Sequence, residues 1–217
     1  KRVIDSTYVT EDRLTEEFES MIKTLTGAKY AVATTNGSAA LFCCLKALGV
    51  GPGDSVIVPN ITFAATANAV ILAGAMPVLC EIDKDTFCMS IEDLKKKIDS
   101  STKVIIPVHL YGQSADMESI MSVANEHDIK VLEDAAQGVG VMGILSFYGN
   151  KTITCGEGGV ILTDSKELRD KSYQLKNHGR PAKGTFKHDT IGYNFAFTEM
   201  QAAIGISQLK KLGRIKQ

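Results

Sequence analysis

The sequence predicts an α/β domain built on a mostly parallel sheet with helices on both faces. Three observations predict it. Strand-like and helix-like stretches alternate every ten to fifteen residues or so, the pattern of successive β-α-β crossovers. The strand-like stretches, such as "SVIVP" and "KVIIPVHL", are continuous apolar runs, as expected of strands buried on both faces. Several end in polar phrases, "TTNGS", "PNITF", "VHLYG" and "EDAAQ", and sheets of this class bind ligands at the carboxyl ends of their strands.

The elements follow in order. Glu11 to Thr24 is helical, with Leu14, Phe18, Met21, Ile22 and Leu25 on one stripe. "KYAVATTNGS" is a short strand running into a turn. "SAALFCCLKALGV" is a helix that stops at Gly49. "GPGD" turns the chain into the strand "SVIVP". "TFAATANAVILAG" is a helix ending at Gly74, and "MPVLCEI" is the next strand. "SIEDLKKKI" opens with Ser-x-x-Asp, a helix start. "KVIIPVHL", "DMESIMSVANEHD" and "IKVLEDAA" then read as strand, helix and strand. "TEMQAAIGISQLKKLGRIKQ" closes the chain as an amphipathic helix with Met200, Ala203, Ile204, Ile206 and Leu209 on its apolar side.

Composition narrows the function. The chain has 217 residues, 44% hydrophobic and 23% charged, with a net charge of −1. That balance points neither to nucleic acid nor to an anionic membrane. Val56 to Cys80 carries no charge over 25 residues, but Pro59, Asn60, Asn68, Gly74 and Pro77 break it into a strand-helix-strand unit instead of a membrane span. The opening "KRVIDSTYVTEDR" has no signal-peptide pattern. Five cysteines without a C-x-x-C pair suggest neither a disulfide framework nor a zinc site, and no metal is expected. They read as small buried residues of a reducing compartment, which predicts a cytoplasmic protein.

Three stretches could carry chemistry. "TTNGSAALF" puts Gly37 and Ser38 at a strand-to-helix turn, where free N–H groups and the helix dipole suit a phosphate, unless Ser38 simply caps the helix. "KVLEDAAQ" ends a buried strand in Glu133-Asp134, where a carboxylate needs a partner: a cationic ligand nitrogen, or a structural ion pair. "LSFYGNKTITCGEGG" holds Lys151, the sole charge between Asp134 and Glu157. A lysine desolvated among neutral groups can act as a nucleophilic amine; the bland alternative is a hairpin-tip lysine reaching water. Together, a phosphate donor, a buried carboxylate for a protonated ring nitrogen and an isolated amine for a Schiff base match the three handles of pyridoxal 5'-phosphate. Phe63, at another strand end, is the candidate to cover the ring.

The same phrases resemble the pyridoxal-phosphate-dependent sugar aminotransferases of the DegT/DnrJ/EryC1/StrS family over nearly the whole chain. The resemblance rests on "AVATTNGSAAL", "GPGDSVIVPNITFAATANAV", "PVHLYGQSADM", "EDAAQ", "SFYGNKTITCGEGG" and "IGYNFAFTEMQAAIG". "FYGNKTITCGEGG" is most similar to the perosamine-synthase-like branch, which aminates C4 of a nucleotide-linked 4-keto-6-deoxysugar. The resemblance implies the large domain of a type I, aspartate-aminotransferase-like transferase. It implies that Lys151 holds the cofactor as a Schiff base and returns as the proton carrier. Asp134 would keep the ring nitrogen protonated, Gln137 would contact the ring hydroxyl, and Phe63 would stack on the ring. Gly37, Ser38, Ala39 and Ser146 would form the phosphate site. Asn194, in "GYN", would reach the cofactor of a second subunit, making a homodimer with shared sites, and His178, in "NHGR", would approach the partner's substrate. L-glutamate would donate the amino group, leaving pyridoxamine phosphate as the carrier, and the nucleotide-linked keto sugar would accept it.

Two departures from the family pattern stand out. Only 16 residues separate Asp134 from Lys151, and "GVGVMGIL" reads as a splice, so a family loop is expected to be missing near 138–143. Residues 1–205 are expected to form the cofactor-binding domain and 206–217 the start of a connector to a small C-terminal domain. A sugar dehydratase of the same fold is disfavoured, because that branch has histidine where Lys151 stands. A non-catalytic binding or regulatory subunit is the alternative from another class. A nucleotide-dependent oxidoreductase fits the alternation but lacks the dinucleotide fingerprint.

Overall fold

The computed structural model describes residues 2–135 and 143–215. After α1 (Arg2–Ser6) and α2 (Arg13–Thr26), the chain alternates β1 (Tyr30–Thr34), α3 (Gly37–Ala47), β2 (Ser55–Pro59), α4 (Ala65–Leu72) and β3 (Met76–Cys80). It continues through α5 (Ile91–Lys97), β4 (Thr102–Ile105), α6 (Met117–Glu126), β5 (Lys130–Val131) and β6 (Glu133–Asp134). The last part holds β7 (Gly143–Ser146), β8 (Gly159–Thr163), α7 (Lys166–Lys176), α8 (Glu199–Leu209) and α9 (Leu212–Ile215).

The strands form two ladders, β1-β8-β7-β6 and β3-β2-β4-β5. Backbone bonds join them. Leu132, between β5 and β6, donates its N–H to Ile105 O (3.0 Å), and Asp134 donates to Pro107 O (2.9 Å). The result is one sheet, parallel throughout except for β8, which runs antiparallel to both β1 and β7. Val56 to Cys80 is indeed a strand-helix-strand unit, and among the described residues no helix is long and apolar enough to cross a membrane.

Both sheet faces are covered. Val32, Val56, Val58, Val104, Leu132 and Ile161 pack on α3 and α4, with Leu175 of α7 beside them. On the opposite face, Leu145, Val160 and Leu162 pack on Phe18 and Ile22 of α2 and on Ala202 and Ile206 of α8. Ile57 and Ile105 pack on α5 and α6. α3 is buried nearly all round, so its sequence shows little amphipathic pattern. With β3 at the other side, β1 is one of the two edge strands of the sheet. Its outward groups at Ala33 are closed by side chains: the N–H donates to Glu19 Oε1 (2.7 Å), and the C=O accepts from Lys176 Nζ (2.7 Å).

The helical face expected at the C-terminal end is corrected. α8 buries Glu199, Ala202, Gly205 and Ile206, while Met200 and Ile204 are 43% and 46% exposed. The cause lies in α2. A Cβ at Gly205 would come within 2.6 Å of the Phe18 ring, so this small-residue face is the one that allows the helices to touch. Glu199 turns in because its carboxylate accepts from the N–H groups of Asp12 (2.8 Å), Leu14 (2.8 Å) and Thr15 (2.9 Å). It thus caps α2, whose own Asp12 makes no cap bond and pairs with Lys183 instead. Leu25 of the expected α2 stripe is also exposed. The expected boundary at 205/206 falls inside α8, where Ile206 is buried.

Candidate active site

A cavity of about 640 Å³ opens at the carboxyl ends of the strands. Gly37 and Ser38 of α3, Phe63 after β2, Asp134 of β6, Ser146 of β7 and Lys151 all line it. Residues from five segments separated by up to 114 positions (151 − 37) therefore meet in one space.

The phosphate-like end is built at the β1-to-α3 turn. Asn36, not Ser38, is the cap of α3: its side chain accepts the Ala39 N–H at 2.8 Å. This leaves Ser38 one residue inside the first turn, with its side chain exposed to the cavity. The hydroxyl of Ser38 makes no hydrogen bond among the described residues. Ala39 is buried, with its N–H committed to Asn36. Gly37 suits a close approach, since a Cβ there would lie 3.2 Å from the Cβ of Ser146. The start of α3 and the end of β7 thus form one cradle, with helix N–H groups and a serine on one wall and a second serine on the other.

The adjacent acids of β6 divide their work because successive strand residues point to opposite faces. Glu133 pairs with His109 Nε2 at 2.9 Å. His109 Nδ1 accepts the Ala115 N–H at 3.1 Å, so the ring proton sits on Nε2 and is donated to Glu133. Asp134 faces the cavity, is 5% exposed and accepts from the Thr66 hydroxyl at 2.8 Å. Thr66 lies 3.0 Å from the Thr62 hydroxyl, so a short polar chain runs from the cavity wall to the carboxylate. Of the two acids of "ED", Glu133 takes a structural partner, the His109 ring N–H, and Asp134 lines the cavity.

Lys151 stands on the connection between β7 and β8. Its N–H bonds to Tyr148 O at 3.0 Å, closing a turn. Among the described residues, its Nζ makes no hydrogen bond and no ion pair. Gly156, with φ of 82°, supplies the turn back toward β8. Gly159 has a different reason: a Cβ would lie 2.3 Å from Asn36 O, so β8 can pass the cradle turn only without a side chain. Phe63 is 77% exposed and presents its ring to the cavity.

Of the remaining expected positions, one falls outside the described residues and two do not line the cavity. Gln137 lies outside the described residues. His178 (φ 57°) and Asn194 are exposed and do not line this cavity; they meet through Tyr193 O, which accepts the His178 N–H at 3.0 Å, and a bridge between Asn177 and Asn194. The suspected splice near 138–143 lies largely outside the described residues as well, with Gly143 already in β7. Asp134 and Lys151 share the cavity in spite of their short separation. Sequence reasoning missed Asn36, Thr66, Tyr111, Tyr148, Asn150 and Glu157, of which all but Thr66 line the cavity. The cap pattern Asn-x-x-Ala at Asn36 was a readable signal; the others depend on tertiary contact. All five cysteines are buried, and burial pushes the thiols of Cys43, Cys80 and Cys155 up to about 12.

A sheet with one reversed strand, helices on both faces and a lone lysine between its last strands defines the large-domain fold of the type I pyridoxal-phosphate-dependent transferases. Over residues 1–217 the chain belongs to the DegT/DnrJ/EryC1/StrS aminotransferase family. It is 38% identical to a GDP-perosamine synthase of Vibrio cholerae, covering 98% of this chain and 61% of that one. It is 40% identical to the GDP-perosamine synthase of Caulobacter vibrioides, covering 96% and 60%. Among solved structures it resembles NtdA from Bacillus subtilis with the cofactor PMP bound, with TM-score 0.95, 37% identity, and coverage of 98% of this chain and 51% of that one. It also resembles DesV from S. venezuelae, with TM-score 0.93, 34% identity, and coverage of 98% and 60%. The chain spans about three-fifths of the length of the curated relatives it matches.

Proposed function

We propose that the protein is a pyridoxal-phosphate-dependent aminotransferase that moves an amino group from L-glutamate to C4 of a nucleotide-linked keto-6-deoxysugar. The observation that carries this reading is the convergence of Lys151, Asp134, Phe63, Ser38 and Ser146 on one cavity. The relatives named GDP-perosamine synthase support a GDP-linked sugar.

The residues present fit the cofactor. The N–H groups opening α3, with the hydroxyls of Ser38 and Ser146, suit its phosphate, and Gly37 lets the two walls approach closely. Ala39 supports this turn from behind through its bond to Asn36. Phe63 offers an aromatic face for the ring. Asp134, buried and oriented by Thr66, would hold a protonated ring nitrogen, and Gln137 is assigned to the ring hydroxyl. When bound, the cofactor supplies an electron sink for the carbon that loses a proton.

The chain's own groups then have distinct tasks. The Lys151 amine would anchor the cofactor and, when free, would carry a proton between carbons of the bound substrate and cofactor. Its lack of a competing partner keeps it available for both steps. Asp134 keeps a positive charge opposite its carboxylate throughout. Asn194 and His178, exposed and remote from their own cavity, are assigned to the site of a second subunit in a homodimer. Residues 1–205 are assigned to the cofactor-binding domain and 206–217 to the start of a connector to a small C-terminal domain. The free, buried cysteines support a cytoplasmic location.

The test uses the full-length protein with pyridoxal phosphate, L-glutamate and a panel of GDP-, dTDP- and UDP-linked keto sugars, read by mass spectrometry. An aminated sugar is expected from the GDP-linked substrate. Failure on every sugar would favour the non-catalytic binding subunit.

A further inference from the structure

Gln201 lies at the third position of α8, outside the cavity, and all its polar capacity is used. Its Oε1 accepts from the Thr198 N–H (2.9 Å) and from the Thr198 hydroxyl (2.8 Å). A backbone N–H can only donate, so this contact fixes which end of the amide is oxygen. The opposite end, Nε2, therefore points away carrying two N–H donors. One reaches Glu157 O at 2.7 Å and the other Thr35 O at 3.3 Å.

Those two carbonyls belong to the two segments on which the site is built. Thr35 directly precedes Asn36, the cap that shapes the phosphate cradle. Glu157 closes the segment that carries Lys151 and itself lines the cavity. The segments also cross at Gly159, where no side chain fits against Asn36 O. Just beyond the end of the β1–β8 ladder at Thr34 and Gly159, a single amide from another helix bonds both the cradle turn and the lysine segment.

We propose that Gln201 is a positioning residue that sets the spacing between the anion-binding start of α3 and the amine of Lys151. The inference rests on the function proposed above. A small rigid ligand held at its phosphate and joined to Lys151 at its other end needs two attachment points at a fixed distance. The bond from each carbonyl to the same amide group supplies that constraint. A ligand held only at the phosphate and ring does not need it.

The experiment compares pyridoxal phosphate, which must reach both points, with pyridoxamine phosphate, which cannot join Lys151. Affinities for both are measured on the full-length wild type, on Gln201→Met and on Glu199→Gln, together with the melting temperature of each cofactor-free protein. Glu199→Gln weakens the cap of α2 on the same helix without touching the cavity, so it controls for lost stability. Gln201→Met is expected to bind pyridoxal phosphate about tenfold more weakly, with a much smaller loss for pyridoxamine phosphate. Borohydride reduction should also trap less cofactor on Lys151. Glu199→Gln should lower the melting temperature and leave the ratio of the two affinities at the wild-type value. Should Gln201→Met not fold, Gln201→Asn keeps the amide but shortens its reach and should move the ratio in the same direction. Equal losses for both ligands, an unchanged ratio, or the same ratio change in Glu199→Gln would overturn the role of Gln201. A wild-type protein that binds neither ligand would instead overturn the proposed function itself.

Discussion

Lys151 and Lys176 lie 25 residues apart (176 − 151) and have opposite fates. Lys176, on α7, is entirely buried, donating to Glu11 Oε1 at 2.8 Å and to Ala33 O at 2.7 Å. Its charge is compensated and its donors close the edge of the sheet. Lys151 is only partly buried, and among the described residues its ammonium group has no partner at all. Two equally buried acids differ in where they point. The carboxylate of Glu199 accepts three backbone N–H groups and the Thr15 hydroxyl, whereas Asp134 accepts from Thr66 and lines the cavity. Burial by itself therefore does not mark a functional charge in this protein. Of the two lysines, the structural one is the more buried and the more fully bonded, because an uncompensated buried charge would cost more than the fold can bear. Lys151, the amine proposed above to react, is the one left without a partner beside the cavity among the described residues.

The comparison can be broken most sharply at Lys151. Lys151→Ala should abolish turnover and the absorbance band of lysine-bound pyridoxal phosphate, while circular dichroism and the melting temperature of the cofactor-free protein stay near wild type. Retention of both band and turnover would remove the contrast. Lys176→Met should do the reverse. It strands Glu11 and the Ala33 carbonyl, so thermal or urea unfolding should show a loss on the order of 3 kcal/mol. The folded fraction should still bind the cofactor with wild-type affinity. A variant as stable as wild type would show that Lys176 is not structural.

The smallest effect sharpens the electrostatics around Lys176. Burial raises the Glu19 carboxyl above its ordinary value of 4.5, against the opposing pull of Lys176 and the Ala33 N–H bond. The folded state then holds the Glu19 proton to higher pH than the unfolded chain does. Its contribution to stability is full below about 4.5 and declines as pH rises through the folded value. Glu19→Gln keeps an oxygen for the Ala33 N–H and cannot titrate. The melting temperature of wild type relative to this variant should fall between pH 4.5 and neutrality. A difference that does not change with pH would contradict the assignment.

Much of this was legible in order along the chain. Gly49 and Gly74 ended their helices where the pattern placed them, with positive φ of 78° and 88°. Ser90 caps α5 through the Asp93 N–H, as Ser-x-x-Asp implied. The strand-end phrases held Gly37, Ser38, Phe63 and Asp134, and the isolation of Lys151 was visible as a gap in charge. The elements after Asp134 were harder to read. β7 is only four residues long, and β8 reads as an apolar run whose reversed direction no local pattern encodes. The face of α8 was misread because its apolar stripe was taken to be the buried one, whereas Gly205 and the Glu199 carboxylate decide it by what they meet on α2.

By itself, the sequence determined the alternation of elements, most of their ends and the isolation of Lys151 from other charges along the chain. These depend on propensities, caps and turns that act over a few residues. The tertiary structure alone decided which of Glu133 and Asp134 faces the cavity and which residue caps α2 from 187 positions away. It also decided how a glutamine on α8 holds the cradle and the lysine segment together. Those outcomes rest on hydrogen bonds and close packing between distant groups. Such contacts exist only once the sheet has formed, and they leave no periodic trace in the chain.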